Sequence, residues 1–218
     1  MHDPAPSATH VHAAGLDACL DLVNTIELSD GRPAEGLVTA DDAIAFMAER
    51  GLGHAEALRA QAARDGDAWL RRIRAVRAAL RDVWDAQVEG RAPGAASLTV
   101  LNGTFDRGPR VELRPTLAGI EVSHRHQEDD PTGEALARAA APLVEAIAVG
   151  ATDRFRICAN DGCRWVFEDA SRAGRRRWCD MATCGNRAKV RRYRSRRRDE
   201  SEGAADAATR AADRSGDG

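Results

Sequence analysis

Four of the five cysteines fall in the pattern C-x4-C-x15-C-x4-C, at Cys158, Cys163, Cys179 and Cys184. Two short pairs separated by a longer loop are what one tetrahedral Zn²⁺ requires. Each pair wraps one edge of the metal, and the loop folds the second pair onto the opposite edge. The x4 spacing is wider than the commoner x2, which predicts a small knuckle or a helical first turn for each pair rather than the tightest turn. No histidine lies beyond His126. A catalytic zinc usually keeps an open position and often uses histidine, so the pattern predicts one structural, closed Zn²⁺. An odd number of cysteines, in a chain whose opening MHDPAPSATHVHAAG has neither a basic n-region nor an apolar h-region, argues against a disulfide framework and for a cytoplasmic protein.

The residues around the cysteines read as a small module. Trp165, Val166 and Phe167 form an apolar run, 170–174 is a turn, and 175–178 leads into Cys179, together predicting a hairpin between the pairs. Trp165, Phe167 and Trp178 would cover the metal, since a module of this size builds too little core without a staple. After Cys184 the pattern is helical. Asn186, Val190 and Tyr193 share one face, and Arg187, Lys189, Arg191, Arg192, Arg194, Arg196 and Arg198 occupy the others.

Those arginines make a charge boundary. The chain carries a formal net charge of −2, yet residues 154–198 hold fifteen Lys+Arg against four Asp+Glu, a balance of +11 that leaves −13 for the remainder. A dense basic block is the electrostatic footprint of a polyanion partner. A bare basic helix repels itself, and this one continues from a metal knuckle, which favours nucleic-acid binding over a merely solvated face. The candidate contacts are Arg175, Arg176, Arg187, Lys189, Arg191, Arg192, Arg194, Arg196, Arg197 and Arg198.

The rest of the chain reads as a mainly helical domain. Residues 1–14, rich in Pro, His and small residues, read as a mobile leader. Leu16, Cys19, Leu20, Val23 and Ile26 recur at helical spacing, and Asp41 and Asp42 open a second apolar-periodic stretch that closes at Gly51. The strongest pattern is Asp67–Glu89, where Trp69, Ile73, Val76, Leu80, Val83 and Gln87 step by 4, 3, 4, 3, 4 and Gly90 supplies the stop. Three heptads are short for a coiled coil, which favours a core-facing stripe over a dimer seam. A helix over Ala95–Phe105, a hairpin from Val111 and Leu113 to Ile120 and Val122, and a helix over 134–149 weakened or kinked by Pro142 follow. The fold class is therefore α+β: a mainly helical N-terminal domain with one β-hairpin over 15–150, then a small C-terminal four-cysteine zinc module over 154–198, a treble-clef-like hairpin and helix. Residues 199–218, acidic and aperiodic, read as a disordered tail. No run approaches the length of a membrane span.

The segment CANDGCRWVFEDASRAGRRRWCDMATCGNRAKVRRYRSRRR resembles the CGNR zinc finger, with a first cysteine pair, an F-x-D-x-S-R stretch, an R-R-W-C step and the run Cys184-Gly185-Asn186-Arg187 in order. Upstream, GLDACLDLVNTIE is similar to the opening of the ABATE domain, with Leu22, Asn24 and Thr25 at matching positions. The pairing implies a bacterial, stress-related transcription regulator whose N-terminal region senses a ligand, with Asn24 and Thr25 as candidate ligand contacts or a helix-terminal cap. Duplex DNA is then the expected partner, beside a small-molecule ligand; a homodimer stays open. An RNA-associated or protein-interaction zinc module is the competing reading.

Other residues carry less. Cys19 lies on an apolar helix face and reads as core. Glu121, His124 and His126 read as the solvated end of a hairpin rather than a second metal site. No nucleophile–base pair, phosphate loop or paired-carboxylate motif stands out, so an enzyme is not expected. Closed zinc shielded by arginines favours an inert structural metal over a redox switch.

Overall fold

The computed structural model describes residues 9–29, 32–117, 119–125 and 129–197. In chain order the elements are α1 (Thr9–Val23), β1 (Ile26–Ser29), β2 (Arg32–Glu35), α2 (Ala40–Glu49), α3 (Ala55–Asp65), α4 (Asp67–Glu89), α5 (Ala95–Phe105), β3 (Arg110–Thr116), β4 (Gly119–Arg125), α6 (Pro131–Ala148), β5 (Phe155–Ile157) and β6 (Val166–Glu168). A π-helical turn, Met181–Gly185, then opens α7, residues 186–197.

α4 is the spine, because its stripe is apolar from Trp69 to Trp84. Trp69, Ile73, Val76, Leu80 and Val83 are all buried in the core, together with Trp84. The stripe therefore faces the chain's own helices rather than a partner, and each fully buried large side chain contributes about 1.5–3 kcal/mol. Gly90 ends α4 in the left-handed region, at φ 66°, where its N–H and that of Arg91 both reach the carbonyl of Ala86. α1 brings Leu16, Cys19, Leu22 and Val23 to the same core, and α6 brings Leu136 and Leu143 with Ala135, Ala139, Ala140 and Ala146. The alanines let α6 approach closely. α6 runs through Pro142, whose ring lies against Gly15, where a Cβ would come within 3.2 Å of it.

The ends of the helices are fixed by side chains. Thr39 and Asp42 cap α2 reciprocally. At the start of α6, Asp130 accepts from the N–H of Gly133 and from Gln61, and Arg72 grips both its oxygens at 2.7 and 2.9 Å. The indole of Trp69 donates to Thr132 at 2.6 Å.

Several expectations change. Residues 9–14, read as leader, extend α1, and residues 1–8 lie outside the described residues, as do Arg198 and the tail. Ile26 is not the last turn of that helix but the first residue of β1, which pairs with β2 in a second N-terminal hairpin. α3 joins the predicted helices, and the 111–122 hairpin is β3–β4, with Leu113 opposite Val122. In the zinc module the hairpin pairs β6 with β5, Phe155 opposite Glu168 and Ile157 opposite Val166, and not with 175–178. Among the described residues no helix is long and apolar enough to cross a membrane.

Candidate metal centre and nucleic-acid interface

β5 and β6 carry the first cysteine pair at the tip of their hairpin. The N–H of Cys158 donates to Trp165 O at 2.7 Å, and those of Cys163 and Arg164 both donate to Asn160 O, closing a knuckle. Arg164 takes the left-handed conformation, φ 59°, that turns the chain back into β6. The second pair frames a helix start: Asp180 accepts from the N–H and hydroxyl of Thr183, and Cys184 sits in the π-turn that opens α7. The four thiols converge, each sulfur within 4.8 Å of every other. Tetrahedral Zn–S bonds of ~2.3 Å place sulfurs about 3.8 Å apart. Cys163 and Cys179 lie 3.6 Å apart, and Cys179 and Cys184 3.8 Å, so the donor set fits one Zn²⁺. Burial pushes the Cys163 thiol up to about 11, and Cys179 higher still, the direction that a bound cation opposes by favouring the thiolates. Burial also opposes ionisation of Cys184, but hydrogen bonds from Asn160 and the neighbouring thiols outweigh it and lower its value.

The motif residues each have a structural task. Asp169, 1% exposed, accepts from the hydroxyl and N–H of Ser171 and from the N–H of Arg176, which shapes the loop between the pairs. Arg176 lies over the Phe167 ring, and its guanidinium donates to the carbonyls of Trp178 and Cys179. It braces the metal loop. Gly185 packs against Met181, whose sulfur would meet a Cβ at 2.9 Å, and the Asn186 amide donates to Ala182 O. Trp165 and Trp178 cover the cluster as expected.

α7 presents the cations. Arg187, Lys189, Arg191, Arg192, Arg194, Arg196 and Arg197 are all exposed, as is Arg175 in the preceding loop. Among the described residues Arg191 alone of these α7 cations meets a carboxylate, that of Asp161 at 3.5 Å. Val190 and Tyr193, on the face they share with Asn186, are 48% and 56% exposed. Arg187 lines a cavity of about 240 Å³ between β1 and the cysteine cluster, with Glu27, Cys163 and Asp180.

Asn24 does not line that cavity. Its amide donates to Val166 O and accepts from Val166 N, both at 2.9 Å, so it extends the sheet edge as a strand residue would. Thr25 donates to Leu22 O and accepts from the buried Arg77, which also grips Glu35. Both residues thus hydrogen-bond within the chain, Thr25 back to the last turn of α1 and Asn24 to β6, and join parts of the fold. Trp84 stacks on Phe155 at 3.9 Å and donates to Arg156 O, and Phe155 and Val166 belong to the main core. The zinc module is docked on the helical domain. Cys19 is fully buried, apart from the metal cluster, and burial raises its thiol to about 12. His126 lies outside the described residues and the side chain of His124 is not described, so the second-metal reading lies outside them too.

Two family models match the chain, one over each part. The ABATE family, described as “Putative stress-induced transcription regulator”, matches residues 16–150, and the CGNR zinc finger matches residues 154–197. No curated protein matches the chain. Since the ABATE match spans more than half of the 218 residues and is followed directly by a finger whose four cysteines converge on one metal, the chain belongs to the ABATE family and carries a CGNR zinc finger.

Proposed function

We propose that the protein is a DNA-binding transcription regulator in which zinc seeds α7 and α7 meets the duplex. The observation that carries this reading is the exposed run of seven cations on a helix that starts at a metal ligand. Residues 186–197 make a rod of about 18 Å, a length and width that a major groove admits. The helical domain, with 22 Asp+Glu against 15 Lys+Arg over residues 15–150, is repelled by the same polyanion, which confines contact to the finger side. No catalytic step is assigned to the chain. The ligand-sensing domain of this reading acts on the finger through the docked face of Trp84, Phe155, Asn24 and Val166, not through a flexible tether.

The test is a duplex titration over salt with the zinc-loaded chain and with Arg187, Arg191, Arg192 and Arg194 replaced by alanine. Each phosphate contact removed lowers the steepness of log K against log salt by about 0.9. Loss of binding with a flattened slope supports the reading. Unchanged affinity, or preference for a single-stranded RNA over the duplex, overturns it in favour of the RNA-associated alternative.

A further inference from the structure

Asn160 is 3% exposed and lies between the two halves of the zinc site. Its Nδ2 donates to the Cys184 sulfur at 3.5 Å, and its Oδ1 accepts from an Arg191 amino group at 2.7 Å. The orientation of the amide follows from its partners, since a zinc thiolate only accepts and a guanidinium only donates. Its backbone carbonyl meanwhile closes the cysteine knuckle. The side chain is therefore held by the metal-ligating Cys184 on one side, and it holds Arg191 on the other.

Arg191 stands in a groove of about 370 Å³ between the knuckle and α7. Arg192, Ser195 and Arg196 line it with Asn160, while the small side chains of Ala159 and Ala188 leave it room. Residues 188, 191, 192, 195 and 196 share one helix face, so three guanidiniums and a hydroxyl converge on one space. Asp161, whose side chain is 89% exposed, touches Arg191 at 3.5 Å, a weak contact that an oxyanion can replace.

We infer that this groove seats one backbone phosphate of the duplex, and that Asn160 is the positioning residue tying the seat to the zinc. The inference rests on the DNA-binding reading and names the part of the surface that fixes register. A guanidinium held by a neutral amide on one edge keeps its other donors for the phosphate and loses little freedom on binding. Phosphate contacts position a protein on the duplex without reading sequence, so the seat acts on every site alike.

The experiment is duplex binding by fluorescence anisotropy over a range of salt, with zinc content measured for each full-length variant. N160A and R191A each weaken binding about tenfold and lower the salt slope by about 0.9. The double variant is no weaker than either single one, because both act at one seat. R191K, which keeps the charge but not the fork, stays weak. D161N tightens binding, since the competing carboxylate is gone. The inference is overturned if zinc-loaded N160A binds as the unaltered chain does, or if N160A and R191A multiply. Should N160A lose its metal, D161N decides: unchanged or weaker binding sinks the seat. If the unaltered zinc-loaded chain shows no salt-dependent duplex binding, the DNA-binding reading itself has failed, and the seat with it.

Discussion

Asp130 shows how much a single carboxylate carries in this fold. It is 8% exposed, caps α6, and is held by Gln61, Arg72 and Arg107. Burial alone would raise its pKa, but Arg72, Gln61 and the Gly133 N–H hold the carboxyl well below the usual carboxylate range. The unfolded chain therefore binds a proton near pH ~4 that the folded chain still refuses. Its stabilisation is complete above that pH and is lost as the pH falls through the lower folded value. D130N is expected to cost about 3 kcal/mol at neutral pH, the lower end for a broken buried pair because Arg72 is partly exposed. Denaturant titrations between neutral pH and ~3 check this: the gap between the two proteins should narrow below pH ~4, and a constant gap would refute the assignment.

At the scale of elements, the end of α1 is hydrogen-bonded to β6 by one side chain, the two-way bridge from Asn24, the residue after α1, to Val166. N24A is expected to cost about 1–3 kcal/mol by leaving backbone groups of Val166 unpaired, and to speed amide exchange in β6 more than in α4. Equal exchange in both elements would remove Asn24 from this role. Nothing in the sequence reveals the bridge, because its partners are 142 positions apart. α4 was legible because its apolar steps track the helical period and Gly90 marks its end. β1–β2 was not: Ile26 continues the spacing of α1, and Arg-Pro-Ala-Glu offers no apolar face, its shape coming from pairing with β1 and from the Arg77–Glu35 contact. α3 was hidden by sparse apolar residues, only Leu58 among its buried positions being a large apolar one. The metal ligands were fully legible, since spacing is a local property. Asn160 sat in view between two cysteines, in an Asn-Asp-Gly stretch that reads as a turn, and its link to Arg191 appears only when α7 folds across the knuckle.

The molecule as a whole is a helical domain of negative charge with a basic metal module set into its core. Because Phe155 and Val166 are buried in the shared core, removing zinc should loosen the helical domain as well as the finger. Each kcal/mol lost lowers the melting temperature by about 2–4 °C in a chain of this size, so a shift of several degrees on chelation is expected, read by circular dichroism of the helices. An unmoved transition would mean that the two parts fold independently. The central claim is narrower: the metal makes the arginines a surface. It is tested most directly by measuring duplex affinity against salt for the zinc-loaded and the chelated chain side by side. Chelation is expected to weaken binding at least about tenfold at ~0.15 M salt and to flatten the slope, with both restored when Zn²⁺ is returned. Equal affinity and equal slope without the metal would mean that the arginines act as an unstructured tail, and would contradict it.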